Sequence, residues 1–234
     1  MRRSVSRTLS HGVGASHYRG SSFGLSIAGR MPAVHALWAI YNRRGGPIAR
    51  SAQLRMVRAL AHRPRERVGY HCGEGWWLGA LSWPTHQRER DEQQPLRWVD
   101  KNRGDLTIVL DGRIDNRDAL WRQLPPGPHP RQRPAGDAAL VLNAYRRWGL
   151  DAFRRIIGDY ALVLFDEAQQ TLVAARDPSG MRPLYATVSA ERAAFASELS
   201  ALRALDNNAP PDEDSVVERL LNTVSGNDRT LYQG

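Results

Sequence analysis

The sequence predicts an α+β fold with helices covering both faces of stacked sheets. Three observations carry this reading. Short strand-like runs bunch before and after a central helical pair; those runs are rich in Val, Ile, Trp and Tyr and end at Gly, Pro or Asp; and hairpin punctuation joins several of them. A chain of 234 residues can bury one substantial core, so no second domain is needed to explain it.

Taken along the chain, the apolar run 34–41 predicts a first strand and 51–62 a helix, followed by strands 67–72 and 76–82. The polar stretch 87–94 then reads as a mobile, exposed loop, as does the Pro-rich 125–134. Strand 106–111 lies between these loops, with helix 116–124 after it and Asn116 as a candidate cap. In helix 137–148, Ala138, Val141, Tyr145 and Trp148 share one face at spacings of three and four, and a shorter helix is expected at 150–156. Strands 159–165 and 171–175 flank the polar Glu167-Ala-Gln-Gln170, which is hairpin grammar. Asp177-Pro-Ser-Gly180 places Pro and Gly where a tight turn needs them, with Asp177 able to accept from turn amides. Strands 184–188 and 193–196 follow, then helices 197–204 and 212–222, the latter with Asp212 as its cap. Trp38, Trp76 and Trp77 sit on strands and read as core rather than as a ligand box.

The net charge of +9 comes from arginines spread along the chain, Lys101 being the one lysine. Such dispersed Arg usage reflects genome composition rather than a phosphate-binding stripe, so nucleic acid is not the expected partner. Residues 1–30 stand apart, with five arginines, many Ser and Gly, and no acidic residue. They read as a transit-type segment, a flexible arm or an over-extended reading frame with Met31 as initiator, and the last is preferred. No apolar stretch reaches the roughly 18 to 20 residues of a membrane span, so the expectation is a soluble, cytoplasmic protein. The single cysteine, Cys72, excludes an internal disulfide and a multi-cysteine metal site, and its strand-like setting predicts a small buried residue.

Several runs together carry a resemblance. Ala33-Val-His-Ala-Leu-Trp-Ala-Ile-Tyr-Asn42, Ala61-His-Arg-Pro64, Asp105-Leu-Thr-Ile-Val-Leu-Asp-Gly-Arg-Ile-Asp-Asn116, Gly136-Asp137 and Arg176-Asp-Pro-Ser-Gly-Met-Arg-Pro-Leu-Tyr185 follow one another in a telling order. That order closely resembles the amino-terminal domain of glutamine-dependent asparagine synthetases, a class II glutamine amidotransferase. The resemblance implies the four-layer αββα sandwich of amino-terminal nucleophile hydrolases. It covers about residues 33–232, and the organisation it implies is an extension at 1–30, an amidotransferase-like domain at 31–206, and at 207–234 the start of a linker toward a synthetase half that is absent.

Members of that family use a cysteine at the mature amino terminus, whose thiolate attacks the glutamine amide while its own α-amino group acts as base. Here His35 occupies the matching position, and no Cys, Ser or Thr lies between Arg30 and Asn42. The family's arginine that grips the substrate carboxylate is missing from Leu78-Gly-Ala-Leu-Ser-Trp83, while Arg88 and Arg90 stand nearby on the expected loop. The Asn-Gly pair that donates to the oxyanion reads Asp111-Gly112, where a carboxylate would repel developing negative charge. Asp137 matches the aspartate that holds the substrate ammonium, but with the other pocket partners lost a helix-cap role is preferred.

The expectation is therefore a domain without glutaminase activity, a pseudoenzyme scaffold beside an amide-forming synthetase in cis or trans. Relatives that lack the cysteine, such as β-lactam synthetases and lasso-peptide cyclases, are arranged in that way. ATP and Mg are expected only in the missing half, since Ser225-Gly-Asn-Asp228 is followed by six residues, too few for the helix a pyrophosphate loop needs. No metal site and no further cofactor are expected in this chain. Two alternatives stand beside this reading: a glutaminase using Cys72 to serve a separate synthetase, or a module binding an amino acid such as glutamine, or RNA. A homodimer is compatible with all three.

Overall fold

Strand alternation sorts the apolar side chains of this chain into three separate cores, and those cores define the layers. The computed structural model describes residues 36–84, 87–124, 136–205, 210–221 and 230–232. Along the chain run β1 (Ala36–Asn42), α1 (Arg50–Ala59), β2 (Arg67–Gly73), β3 (Trp76–Ser82), α2 (Gln87–Arg90), β4 (Leu96–Trp98) and β5 (Leu106–Ile114). Then come α3 (Arg117–Gln123), α4 (Asp137–Trp148), a 3-10 turn (Gly149–Arg154), β6 (Gly158–Asp166), β7 (Thr171–Arg176), β8 (Tyr185–Val188), β9 (Arg192–Ala196), α5 (Leu199–Arg203) and α6 (Glu213–Leu220). The strands form two antiparallel sheets, ordered β2-β3-β1-β9-β8 and β4-β5-β6-β7.

Between the sheets, Leu37, Ala39, Trp76 and Leu78 meet Val109, Val163 and Phe165. Trp76 stacks on Phe165 at 4.7 Å between ring centroids, tying β3 to β6 across the interface. On the other face of the first sheet, Trp38, Ile40 and Trp77 pack under Met56 and Leu60 of the α1 region and Leu202 of α5. On the outer face of the second, Ile108, Leu110, Leu162 and Leu164 pack under Leu120 of α3 and Val141, Ala144 and Tyr145 of α4. The stacking order is helices, sheet, sheet, helices, which is the αββα sandwich. Each large side chain so enclosed contributes about 1.5–3 kcal/mol of burial, which is why the alternation fixes the register so firmly.

Most elements form where the alternation and helical spacing place them, and the departures have local causes. The helix expected at 197–204 begins at Leu199, because Ser197 is held to β1: its N–H donates to Leu37 O and its hydroxyl accepts from Leu37 N. The first helix stops at Ala59 rather than 62; His62 and Arg63 instead bond the carboxylate of Glu198 and clamp α1 to the start of α5. Gly149, at φ +57°, ends α4, and the next residues tighten into a 3-10 turn instead of the predicted helix. Asn116 does not cap α3. Its side chain bridges to the segment before β6, donating to Arg155 O at 2.7 Å and accepting from Ile157 N at 3.0 Å. Asp212 does cap α6, accepting from Ser215 N. Trp38, Trp76 and Trp77 are buried, whereas Cys72, expected to be buried, is exposed. The strand β4 is too short for its alternation to be read from sequence. The segments 1–30 and 125–134 lie outside the described residues.

Candidate functional site

The edge of β5 that faces away from β6 organises the site. β4 pairs with β5 only from Leu106 to Ile108, so beyond Ile108 the side of β5 facing away from β6 has no neighbouring strand among the described residues. In an antiparallel ladder alternate N–H groups point to opposite edges. Leu110 N and Ile114 N both donate to side chains rather than to β6, so the intervening Gly112 N–H, by parity, faces the same side. Gly112 has φ +132°, and a Cβ there would stand 2.0 Å from Asp159 O, so no other residue fits.

Asp137 is the first residue of α4 and lies over this edge, but not as a cap. One carboxylate oxygen accepts from Ile114 N at 2.9 Å and the other pairs with the guanidinium of Arg117 at the start of α3. The helix-cap reading is therefore replaced by a latch joining β5, α3 and α4. The N-terminal amides of α4 have a different acceptor: Glu92 takes Ala138 N at 3.2 Å and Ala139 N at 3.0 Å. This is the capping that helix ends require, supplied from 46 and 47 residues away in sequence.

Asp111 shares the parity of Val109 and so points between the sheets, where it is 2% exposed. Arg182 reaches it at 3.4 Å. Arg182 is placed by the preceding turn, in which Asp177 accepts from Tyr160 N, Ser179 Oγ, Met181 N and Arg182 N at 2.6 to 3.3 Å. Burial alone would raise the Asp177 pKa, but those four donors outweigh it and hold the carboxyl below its ordinary value. Asp111 thus carries its own countercharge, which the sequence did not disclose.

The stretch 87–94, expected to be a mobile exposed loop, contains α2 and then runs to the edge of β5. Gln94 Oε1 accepts from Leu110 N at 2.7 Å, its carbonyl packs against Gly69 of β2, and the following Pro95 is buried. Arg90 of α2 pairs loosely with Glu66 at 3.9 Å, and its carbonyl oxygen accepts from the guanidinium of Arg67.

The structure brings Asp111, Gly112 and Asp137 to one end of β5, with Asp111 and Asp137 on opposite faces of the sheet. It does not bring Cys72 there. Cys72 lies opposite Trp77 in the β2–β3 ladder and shares the face that α1 covers, on the far side of the first sheet from β5. His35 lies outside the described residues. Glu92, Arg117 and Arg182 were not singled out from sequence as parts of the site. Among the described residues no group of three or more His, Cys, Asp or Glu is placed to hold a metal ion, and no helix is long and apolar enough to cross a membrane.

Comparison with known proteins agrees with this architecture. A family profile described as "Glutamine amidotransferase domain" matches residues 31–234. Asparagine synthetase [glutamine-hydrolyzing] 3 of Arabidopsis thaliana is 30% identical over 158 residues, 65% of this chain and 25% of the relative. Carboxyethyl-arginine beta-lactam-synthase of Streptomyces clavuligerus is 40% identical over 98 residues, 42% of this chain and 18% of the relative. The chain thus spans about a quarter or less of the length of these curated relatives. Among solved structures, the glutamine phosphoribosylpyrophosphate amidotransferase of B. subtilis superposes with a TM-score of 0.57 at 20% identity, covering 73% of this chain and 43% of that one. At that identity the superposition speaks to the fold alone.

Proposed function

This chain belongs to the glutamine amidotransferase domain family, in its asparagine-synthetase-like branch, and on that premise we propose that it is an amidotransferase domain without glutaminase chemistry, acting as a scaffold for an amide-forming synthetase. One observation carries the proposal: the segment that would bear the nucleophile has no Cys, Ser or Thr from Arg30 to Asn42, with His35 in the matching position. An imidazole inside a chain supplies neither the thiolate nor the terminal amine that the family's hydrolysis needs.

The surroundings support the same reading. Asp137, which would hold a substrate ammonium, is engaged by Arg117 and Ile114 N. Leu78 to Trp83 offers no arginine for a substrate carboxylate. Asp111 beside Gly112 puts an acceptor where a donor would be needed, and losing one oxyanion donor costs about 2.7–4 kcal/mol of barrier. Cys72 as a substitute nucleophile is disfavoured by its place on the opposite side of the first sheet from Gly112 and Asp137.

The partner we infer is a synthetase domain, in cis or in trans, of the kind named in the asparagine and β-lactam relatives. ATP and Mg would belong to that partner, whose product would be an amide of asparagine or natural-product type. The test is direct: purified protein is incubated with L-glutamine, and glutamate release is followed by a coupled dehydrogenase. No release above the buffer rate is expected. Turnover that survives Cys72→Ala would overturn the inactive reading, and turnover abolished by that change would install Cys72 as the nucleophile.

A further inference from the structure

We propose that α1 and α6 are the two halves of a self-complementary surface: the basic outer face of α1 receives the acidic and apolar outer face of α6 from a second copy of this chain, and the reverse, about a twofold axis. The arginines are dispersed, but the charge they carry is not evenly balanced. From Met31 to Arg65 there are seven arginines and no acidic residue, whereas from Asp212 to Leu221 there are four acidic residues and one arginine. α1 also departs from what would stabilise a helix from within. It has no side-chain cap and no acidic residue in its first turn, where Arg50 opposes the helix dipole, and Arg55 and Arg58 set like charges three positions apart. Its solvent face runs Arg50, Leu54, Arg58 at intervals of one turn, all exposed, with Arg55 beside them. Among the described residues none of these three arginines has a carboxylate partner; Arg55 donates to Ala204 O instead.

α6 is the complement. Glu213 and Asp214 stand exposed in its first turn, and Val217, Leu220 and Leu221 follow on the same face, Leu220 being 81% and Leu221 68% exposed, while Ser215 is buried. Apolar side chains face outward and a hydroxyl inward, the reverse of a helix whose only neighbour is its own domain. Laid antiparallel, Leu54 of one copy meets Val217 and Leu221 of the other, and Arg58, one turn further on, meets Glu213 and Asp214. The apolar centre of the basic face favours a protein helix over nucleic acid, which would call for aromatic platforms there. Both helices lie on one side of the molecule, joined through α5. Arg55 Nε donates to Ala204 O at 2.8 Å, Arg203 donates to the Tyr232 hydroxyl at 2.9 Å and lies over its ring, and Tyr232 pairs with Pro211 just before α6. A twofold axis near α5 therefore allows both contacts at once, as an isologous dimer requires. Two short helix pairs make a small interface, so the dimer is weak and salt-sensitive.

The test follows the full chain by sedimentation velocity and light scattering across micromolar concentrations. Monomer should pass to dimer as concentration rises, with a dissociation constant that increases about fivefold or more between about 50 and 500 mM NaCl. Leu220→Glu and Arg58→Glu should each weaken the dimer about tenfold or more while leaving the far-UV circular dichroism unchanged, since both side chains are exposed. Asp214→Arg should weaken it as well, and combining Asp214→Arg with Arg58→Glu should restore it, because the reversed charges meet again across the axis. A chain that stays monomeric, a dimer indifferent to salt or to both Leu220→Glu and Arg58→Glu, or a double variant as weak as the singles would overturn the pairing. Loss of the dimer in Leu220→Glu alone would pair α6 with itself, and a monomer that binds single-stranded RNA through Arg58 would give the basic face to nucleic acid; either result also overturns it. Neither helix contact involves the groups at the end of β5, so association and glutamate release are independent readouts.

Discussion

Replacing Asp177 tests how the turn before β8 sets Arg182 against Asp111. The side chain is 1% exposed and accepts from three backbone N–H groups and one hydroxyl. In Asp177→Asn the least costly orientation keeps an oxygen toward Tyr160 N and Arg182 N. Ser179 Oγ can then rotate to accept from the new amide, and Met181 N is left without its acceptor. One orphaned donor costs about 1–3 kcal/mol, and the loss of charge on the surviving bonds adds about 1 kcal/mol, giving about 3 kcal/mol in total. For a domain of this size that is a fall in Tm of about 6–12 °C. The folded-state pKa is depressed, so the carboxylate's stabilisation is complete above the unfolded value near about 3.9 and disappears as pH falls through the lower folded value. The gap in urea-unfolding free energy between wild type and Asp177→Asn should therefore be flat from neutral pH down to about pH 5 and shrink below about pH 4. A gap under 0.5 kcal/mol at pH 7, or one that keeps its size into acid, would refute the account of Asp177 as an ionised hub.

Two further outcomes follow from packing and exposure. Cys72 should react with one equivalent of a disulfide reagent such as DTNB in the native protein, at a rate within about tenfold of the unfolded chain; reaction that waits for denaturant would contradict its exposure on the edge strand β2. Gly79→Ala should lower the urea midpoint by the equivalent of about 3 kcal/mol, since its Cβ would stand 2.1 Å from Cζ2 of the buried Trp38 and neither strand nor ring can yield cheaply. An unchanged midpoint would show that Trp38 can leave its rotamer freely.

The layers were legible because they depend on periodicity, which is a property of sequence. Residues such as Val109 and Phe165, or Leu110 and Leu164, declare opposite faces by parity alone. The turn at Asp177 was equally legible, because its donors lie within five residues or on the adjoining strand. What could not be read were the pairings across long sequence distances. Glu92 and the α4 amides are separated by 46 residues, and Asp111 and Arg182 lie in different elements. A polar run such as 87–94 has the composition of a solvated loop whether or not its acceptors find buried donors. One hint was nonetheless present: the Gln94-Pro95 step begins a short, largely apolar run. The misreading of Cys72 has a similar origin, since β2 is an edge strand whose outward residues extend past the cover of α1.

The carboxylates at the end of β5 bear on whether this site is worn down or rebuilt. A buried carboxylate without a partner costs several kcal/mol and would ordinarily take up a proton. Asp111 instead has Arg182 at 3.4 Å, a Coulomb attraction of about 5 kcal/mol at an effective dielectric of about 20, and Asp137 has Arg117. Each acidic group is matched by a cation from a different element, so the charges cancel inside the chain and leave little for a ligand's ammonium to gain. Changing Asp111 alone to a neutral donor would strand Arg182 rather than recreate an oxyanion site, because the two groups now act as a unit. Freeing either carboxylate for a ligand therefore requires its cation to be removed as well, Arg117 from Asp137 and Arg182 from Asp111.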